Sequence, residues 1–81
     1  MRKVTLLTKA ECELCEHAKV VLERVRADLP FHVEILSMDS QEGRDLAQQC
    51  RVLFPPGVLI DGQPFSYGRL SQRRLRRALR C

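Results

Sequence analysis

The chain has 81 residues, a formal net charge of +4, 44% hydrophobic residues and 30% charged residues. This length allows one small hydrophobic core, and the composition is typical of a globular domain rather than a disordered or fibrous chain. No apolar run approaches the roughly 18 residues that cross a bilayer, and the apolar stretch after Lys3 is too short for a signal peptide. We therefore expect one domain over residues 1–81, a cytoplasmic monomer that makes no contact with membranes.

The first part of the chain predicts a strand, a helix and a second strand. Val4 to Leu7 is an apolar run of the kind found in buried strands. From Cys12 onward, apolar residues recur at three- and four-residue steps, which predicts an amphipathic helix that Pro30 ends. Its inner face would carry Leu14, Ala18, Val21, Leu22, Val25 and Leu29. The period then changes to two, with Phe31, Val33 and Ile35 as the apolar members of a strand.

The next segment predicts a short helix followed by a loop with two adjacent prolines. Asp39 or Ser40 can cap this helix, and Gly43 weakens it. Its inner face would carry Leu46, Ala47 and Cys50. Because free cysteine is among the most buried residue types, we interpret Cys50 as a small apolar core residue.

The last third of the chain predicts a β-hairpin and a helix. Asp61-Gly62 is a strong signal for a two-residue turn between a strand at 58–60 and its partner at 63–66. Ser71 can cap the final helix, whose inner residues would be Leu75, Ala78 and Leu79. The order β-α-β-α-β-β-α predicts an α/β fold (α+β by some schemes) with a four-stranded mixed sheet flanked by three helices.

Cys12 and Cys15 form a CxxC motif where the first strand gives way to the first helix. Three residues apart on a helical turn, they share a face with Cα atoms about 5–6 Å apart, which suits a disulfide. Free N–H groups at the helix start favour the thiolate of Cys12, whereas Cys15 lies one turn in and is expected to be buried. We therefore predict that Cys12 attacks a substrate disulfide and that Cys15 resolves the mixed disulfide.

The charged residues around this pair oppose one another. Lys9 lies three residues before Cys12 and supplies positive charge. Glu11, Glu13 and Glu16 supply negative charge, which should raise the pKa of the Cys12 thiol. The sequence leaves open which of the two effects dominates.

A CxxC motif also occurs in metal sites. The second hypothesis is therefore a metal or iron–sulfur carrier that uses Cys12 and Cys15 as thiolate ligands, with the other ligands supplied by a second molecule or a small thiol. His17 does not add a third ligand, because two residues from Cys15 it lies on the opposite face of the helix. We interpret His17 as a surface histidine and predict no metal site within the chain itself.

These features resemble glutaredoxins, and more closely the short glutaredoxin-like proteins of the thioredoxin fold. The resemblance covers about residues 4–78 and rests on three features. Lys9 precedes the CxxC motif by three residues, a proline precedes the hairpin, and Gly68 precedes the last helix. The family has a cis-proline at the second of these positions. The count back from the turn glycine places it at Pro56, but Pro55 stands before it, so the bond before either proline can be the cis one.

The resemblance implies a thioredoxin-like fold and a thiol–disulfide oxidoreductase that reduces disulfides in proteins or small molecules, with no bound cofactor. It implies Cys12 as the nucleophile. It also implies that the thiol substrate is bound by Lys9, Pro55, Pro56 and Gly68. Tyr67 either lines the same substrate-binding pocket or caps the edge of the sheet, and the sequence leaves both roles open. Glutathione, another low-molecular-weight thiol or a dedicated reductase would serve as the electron donor.

Two features stay outside this interpretation. After Asp61 the chain has no acidic residue, and a set of arginines, at positions 73, 76, 77 and 80, shares one face of the last helix. We interpret this as a solvated face, and the third hypothesis makes it a docking surface for an acidic partner on an inactive scaffold. Nucleic acid is disfavoured because no aromatic residue is interleaved with the arginines. Cys81, the last residue, has no evident partner in the sequence.

Overall fold

The predicted order of strands and helices is confirmed in the computed structural model, which describes residues 1–80. The elements are β1 (Lys3–Thr8), α1 (Glu13–Arg26), β2 (His32–Ser37), α2 (Gln41–Gln49), β3 (Gly57–Ile60), β4 (Gln63–Tyr67) and α3 (Gln72–Arg80). The four strands form one mixed sheet in the order β2-β1-β3-β4. Among residues 1–80, no helix is long and apolar enough to cross a membrane.

The sheet brings three loops together at one of its ends. β1 and β2 are parallel and joined through α1, whereas β3 is antiparallel to both β1 and β4. Leu7, near the end of β1, lies opposite Gly57 at the start of β3, and Gly57 lies opposite Tyr67 at the end of β4. The loop after β1, the loop before β3 and the loop after β4 are therefore neighbours. The CxxC motif stands at the end of the first of these loops.

Both faces of the sheet are covered, which explains the apolar run in β1. Side chains alternate across a strand, so Val4 and Leu6 face one side and Leu7 faces the other. On the first side they join a buried cluster with residues of α1 and α3, among them Ala18, Leu22 and Leu75. On the second side Leu7 packs in a smaller cluster with Leu59, Ala47 and Val52. Each fully buried aliphatic side chain of this kind stabilises the fold by about 1.5–3 kcal/mol.

Two details of the first half differ from the sequence-based prediction. α1 ends at Arg26 with Ala27 as its C-cap, so Leu29 packs against the core from the turn after the helix. Ile35 is 51% exposed, although the alternating pattern predicted an inward residue. β2 is an edge strand, and the helices cover Val33 but leave the second half of the strand more open. The alternation of apolar and polar residues thus predicted the strand correctly, but it did not predict how much of the strand is buried.

At the start of α2, the backbone of Gly43 lies close to the carbonyl group of Ser37. Of the two predicted caps, Ser40 is the N-cap, and its Oγ accepts a hydrogen bond from the Gly43 N–H at 3.0 Å. A Cβ atom at Gly43 would collide with the carbonyl group of Ser37. The glycine therefore permits the packing of this helix start, in addition to lowering helix propensity. On the inner face, Ala47 is buried, while Leu46 and the free thiol Cys50 are half-buried beside it.

The β3–β4 hairpin turns at Asp61-Gly62, as predicted. Ile60 pairs with Gln63, and Asp61 and Gly62 have φ values of 50° and 82°, as a type I′ turn requires. The Asp61 carboxylate accepts hydrogen bonds from the Lys3 N–H and from Arg2 Nε, each at 2.9 Å. These bonds, the Lys3 N–H first and Arg2 second, hold the pKa of the Asp61 carboxyl below its ordinary value. These hydrogen bonds thereby hold the hairpin turn against the start of β1.

Replacing Asp61 with asparagine should lower the free energy of unfolding at pH 7 while keeping a residue that tolerates the positive φ. The folded-state pKa of Asp61 is depressed, so its contribution is complete above the ordinary pKa of 3.8 and is lost as the pH falls through the lower folded-state value. The difference between Asp61→Asn and wild type should therefore shrink toward zero in acid. Urea unfolding at pH 7 and in acid checks this, with the exposed Asp39→Asn as a control. An equal difference at both pH values would contradict it.

Candidate active site

Cys12 and Cys15 lie at the start of α1 and are joined in a disulfide. Their Cα atoms are 5.2 Å apart, within the range that the spacing predicted. Cys12 is half-buried, whereas Cys15 is only 1% exposed. The predicted contrast in accessibility is thus confirmed, and Cys12 offers the sulfur that a partner molecule can reach.

The backbone at the helix start directs an N–H group at the sulfur of Cys12. Glu11 has a φ of 55°, and Cys12 is extended, so the chain turns sharply after β1 and enters α1 with Cys12 as the N-cap. Its Sγ accepts a hydrogen bond from the Cys15 N–H at 3.1 Å, in the place where other helices use a serine or aspartate oxygen. In the reduced protein, this N–H and the helix dipole would stabilise negative charge on the same sulfur.

An acidic rim, formed by Glu11, Glu13 and Glu16, surrounds the accessible sulfur. Together with Cys12 these residues line a shallow depression of about 410 Å³. Glu16 pairs with Lys19 at 2.9 Å, and Glu11 and Glu13 have no ion pair among residues 1–80. Lys9 is exposed and does not line the depression. Of the two opposing charge effects that the sequence predicted, the negative side chains are therefore the ones that border Cys12.

The proline loop lies at the same end of the sheet as the CxxC motif. The bond between Pro55 and Pro56 is the cis one, which decides between the two candidates. Pro56 is fully buried immediately before β3, and its carbonyl accepts a hydrogen bond from the Gly68 N–H at 2.8 Å. The loop before β3 and the loop after β4 are thus held against each other.

Gly68 and Tyr67 belong to an apolar surface that includes two residues missed by the sequence analysis. Gly68 has a φ of 79°, and a Cβ atom there would lie 2.8 Å from Cε2 of Phe54. The Phe54 ring meets Tyr67 edge to face, with ring centroids 5.0 Å apart. We call Leu53, Phe54 and Tyr67, which are 74%, 51% and 41% exposed, the aromatic patch. The available signal was two large apolar side chains in a proline-rich loop, where no strand or helix required them.

Residues 3–80 match the family model described as a glutaredoxin-like domain. The chain belongs to the glutaredoxin-like domain family. The match covers nearly all of the described chain, including the CxxC motif, the cis-proline loop and Gly68. A search of curated proteins finds no match to this glutaredoxin-like domain.

Solved structures of low sequence identity share its fold. An uncharacterized thioredoxin-like protein from Clostridium perfringens has a TM-score of 0.79 at 15% identity, over 99% of this chain and 69% of that one. The oxidised form of mitochondrial thioredoxin 3 from Saccharomyces cerevisiae has a TM-score of 0.71 at 20% identity, over 98% and 76%. Glutaredoxin 1 from Francisella tularensis, complexed with cacodylate, has a TM-score of 0.53 at 21% identity, over 95% and 91%. The glutaredoxin-like domain therefore has the predicted thioredoxin-like α/β fold, and with its paired cysteines it is suited to a redox-type function.

His17 differs from its prediction as a surface histidine. It is half-buried in a groove between α1 and α3, and its buried Nδ1 has no hydrogen-bond partner among residues 1–80. Helical spacing placed His17 on another face of α1 from Cys15, but only the tertiary structure shows that α3 packs beside that face. Within the described residues, no three histidine, cysteine or acidic side chains converge as metal ligands. Cys81 lies outside the described residues.

Proposed function

We propose that the glutaredoxin-like domain is a thiol–disulfide oxidoreductase that reduces disulfides of proteins or small molecules. The thiolate of Cys12 attacks one sulfur of a substrate disulfide, forms a mixed disulfide, and releases the other sulfur as a thiolate that takes up a proton. Cys15, once deprotonated, attacks the Cys12 sulfur and releases the second substrate thiol. The bridge between Cys12 and Cys15 is then formed, and two electrons have passed from the domain to the substrate.

The observation that carries this proposal is the difference between the two sulfurs of one disulfide. The Cys12 sulfur is accessible and receives an N–H donor at 3.1 Å, which favours a nucleophile and a good leaving group. The Cys15 sulfur is buried one turn behind it, where it reaches Cys12 more readily than any external disulfide. A pair with equal exposure would not support a division into attacking and resolving thiols.

The proline loop supports a specific mode of substrate binding. Pro56 is buried immediately before β3, so the backbone of the residue before it lies at the thiol end of the sheet, where it can pair with an extended substrate. The residue in that position is Pro55, which has no N–H, so it can accept a hydrogen bond through its carbonyl but donate none. We therefore expect one main-chain hydrogen bond at this residue where an ordinary amino acid would allow two.

The surface around the thiols supports a protein disulfide as the preferred substrate. The aromatic patch offers large, exposed apolar side chains beside Gly68, and such patches commonly mark contacts with proteins. Glutathione carries two carboxylates, and the acidic rim beside Cys12 opposes their approach. Lys9, exposed in the loop after β1, supplies positive charge for a substrate that reaches beyond this rim.

The test is the reduction of insulin, a protein disulfide, and of a peptide carrying glutathione in a mixed disulfide. Reduced wild-type protein should reduce both, one disulfide per chain, and peptide mapping should find the new bridge between Cys12 and Cys15. Dithiothreitol, glutathione with its reductase, and thioredoxin reductase are then compared as donors for turnover. Reduced protein that leaves both substrates intact, or that forms its bridge elsewhere, would refute the proposal.

A further inference from the structure

A cavity of about 400 Å³ lies between α1 and α3, apart from the thiol site. Its α1 side is formed by His17, Val21 and Arg24, which are spaced i, i+4 and i+7 and therefore share one helical face. Its other side is the loop before α3 and the first turn of α3, from Arg69 to Arg73. Among residues 1–80, no cysteine, no proline and no residue of the aromatic patch lines it. The volume is in the range of sites that hold small molecules.

The lining of this cavity is cationic. Arg24, Arg69 and Arg73 contribute three guanidinium groups, and no acidic side chain is among the lining residues. None of these three arginines forms an ion pair within the described residues. Arg76, in contrast, binds Asp28 at 2.8 Å and donates to the Arg24 carbonyl at 3.4 Å. That contact joins α3 to α1 and does not involve the side chains of the three cavity arginines, which are solvent-exposed.

Two further groups in the cavity wall have no hydrogen-bond partner within the described residues. Nδ1 of His17 is buried and has no hydrogen-bond partner in the part of the chain that the structure describes. α3 begins at the cavity, and the first N–H groups of a helix have no acceptor within it. Ser71 Oγ accepts the Arg74 N–H at 3.2 Å. The N–H groups of Gln72 and Arg73, which come before Arg74 in the first turn, have no acceptor from this cap. The wall thus combines three guanidinium groups with the free N–H groups at the start of α3 and an unpartnered ring nitrogen of His17, and it carries no negative charge within the described residues.

We propose that this cavity binds the phosphate group of a small molecule or free phosphate. Three arginines that line one space favour a ligand of high negative charge, and a phosphate monoester carries close to two negative charges and three strong acceptor oxygens. Arginine binds such oxygens in bidentate fashion, and a helix start adds backbone N–H donors. A single carboxylate offers one charge and two oxygens, which matches this lining less well. The proposal does not depend on the redox chemistry of Cys12 and Cys15.

The test uses the full wild-type chain in its oxidised form, observed by ¹⁵N NMR during titration with inorganic phosphate. Sodium chloride at equal ionic strength is the reference. Saturable shifts are expected at His17 and at residues 69–73, and not with chloride. Glycerol 3-phosphate, as a phosphate monoester, distinguishes the two sources of the ligand: tighter binding than inorganic phosphate assigns the site to an organic phosphate, and equal or weaker binding assigns it to the free ion.

Matched arginine variants then separate the cavity from the general charge of α3. Arg69→Gln and Arg73→Gln should each raise the Kd for phosphate by about tenfold, as expected for the loss of one charge-assisted hydrogen bond. Arg80→Gln removes the same charge from the same helix outside the cavity and should change the Kd by less than about twofold. Far-ultraviolet circular dichroism verifies that each variant is folded.

Three results would overturn the proposal. Shifts that never saturate and spread over all arginines of α3 would identify a solvated cationic surface. An effect of Arg80→Gln equal to that of Arg73→Gln would have the same meaning. Succinate that binds as tightly as phosphate would show that the cavity does not select a phosphate group.

Discussion

Replacing Cys12 with serine should abolish disulfide reduction by the glutaredoxin-like domain, with a loss of at least about a hundredfold in the catalysed rate. A serine hydroxyl at the N-cap can still accept the Cys15 N–H, and serine is a favoured residue there, so the fold should persist. The hydroxyl cannot form a disulfide, and the buried Cys15 sulfur cannot reach a substrate in its place. Insulin reduction with dithiothreitol as donor measures the effect.

Cys15→Ser should separate the first step from the second. Cys12 remains able to attack, so a mixed disulfide with the substrate should accumulate to about one equivalent, while turnover with a dithiol donor should fall about tenfold or more. With excess glutathione, a monothiol route on glutathione mixed disulfides should remain. Mass spectrometry of the trapped species identifies the sulfur that carries the substrate.

Cys50 provides the matched control for both variants. It is a free, half-buried thiol packed beside Leu46 and Ala47, away from the CxxC motif in sequence. Cys50→Ser should keep the turnover rate within about twofold of wild type. If Cys12→Ser traps a substrate adduct and Cys15→Ser does not, the two cysteines have the opposite roles. If Cys50→Ser alone removes activity, the CxxC motif is not the working pair.

Gly43→Ala should destabilise the fold by about 1–3 kcal/mol, although helix propensity alone predicts a gain of about 1 kcal/mol from this change. The added Cβ would meet the Ser37 carbonyl group, with its carbon 2.7 Å away, and Ser40 Oγ at 3.0 Å. The Ser37 carbonyl has little freedom to move, because it accepts hydrogen bonds from the Ser40 N–H at 3.1 Å and from Ser40 Oγ at 2.6 Å. The turn between β2 and α2 would therefore have to shift.

The measurement is urea unfolding at neutral pH, in which Gly43→Ala should lower the midpoint denaturant concentration. Arg44→Ala, an exposed neighbour in the same helix, is the control and should change the free energy of unfolding by less than about 0.5 kcal/mol. A stabilised Gly43→Ala protein would show that the helix start does not pack against the Ser37 carbonyl as described. Since α2 is remote in sequence from the CxxC motif, activity per folded molecule should be unchanged.

The features that the sequence predicted correctly are those set by neighbouring residues. The positive φ of the Asp61-Gly62 turn, the caps at Ser40 and Ser71, and the spacing of Cys12 and Cys15 each depend on a few consecutive positions. The roles of Lys9, Pro55, Pro56, Tyr67 and Gly68 in binding a substrate stay predictions. For these residues the structure establishes position: Pro55 and Pro56 lie in the loop before β3, and Tyr67 ends β4 next to Gly68, whose N–H donates to the Pro56 carbonyl. Lys9 lies apart from them in the loop after β1.

The sequence by itself determined the order of strands and helices and the place of two cysteines at a helix start, because periodicity, capping and turn geometry are local. Only the tertiary structure decided which proline bond is cis, why Gly43 is needed, and that Phe54 covers Gly68. It also showed that His17 lies in a groove with α3 rather than on an open surface. Each of these depends on contacts between residues that are distant in the chain. The local pattern of side chains does not specify which distant residues come into contact.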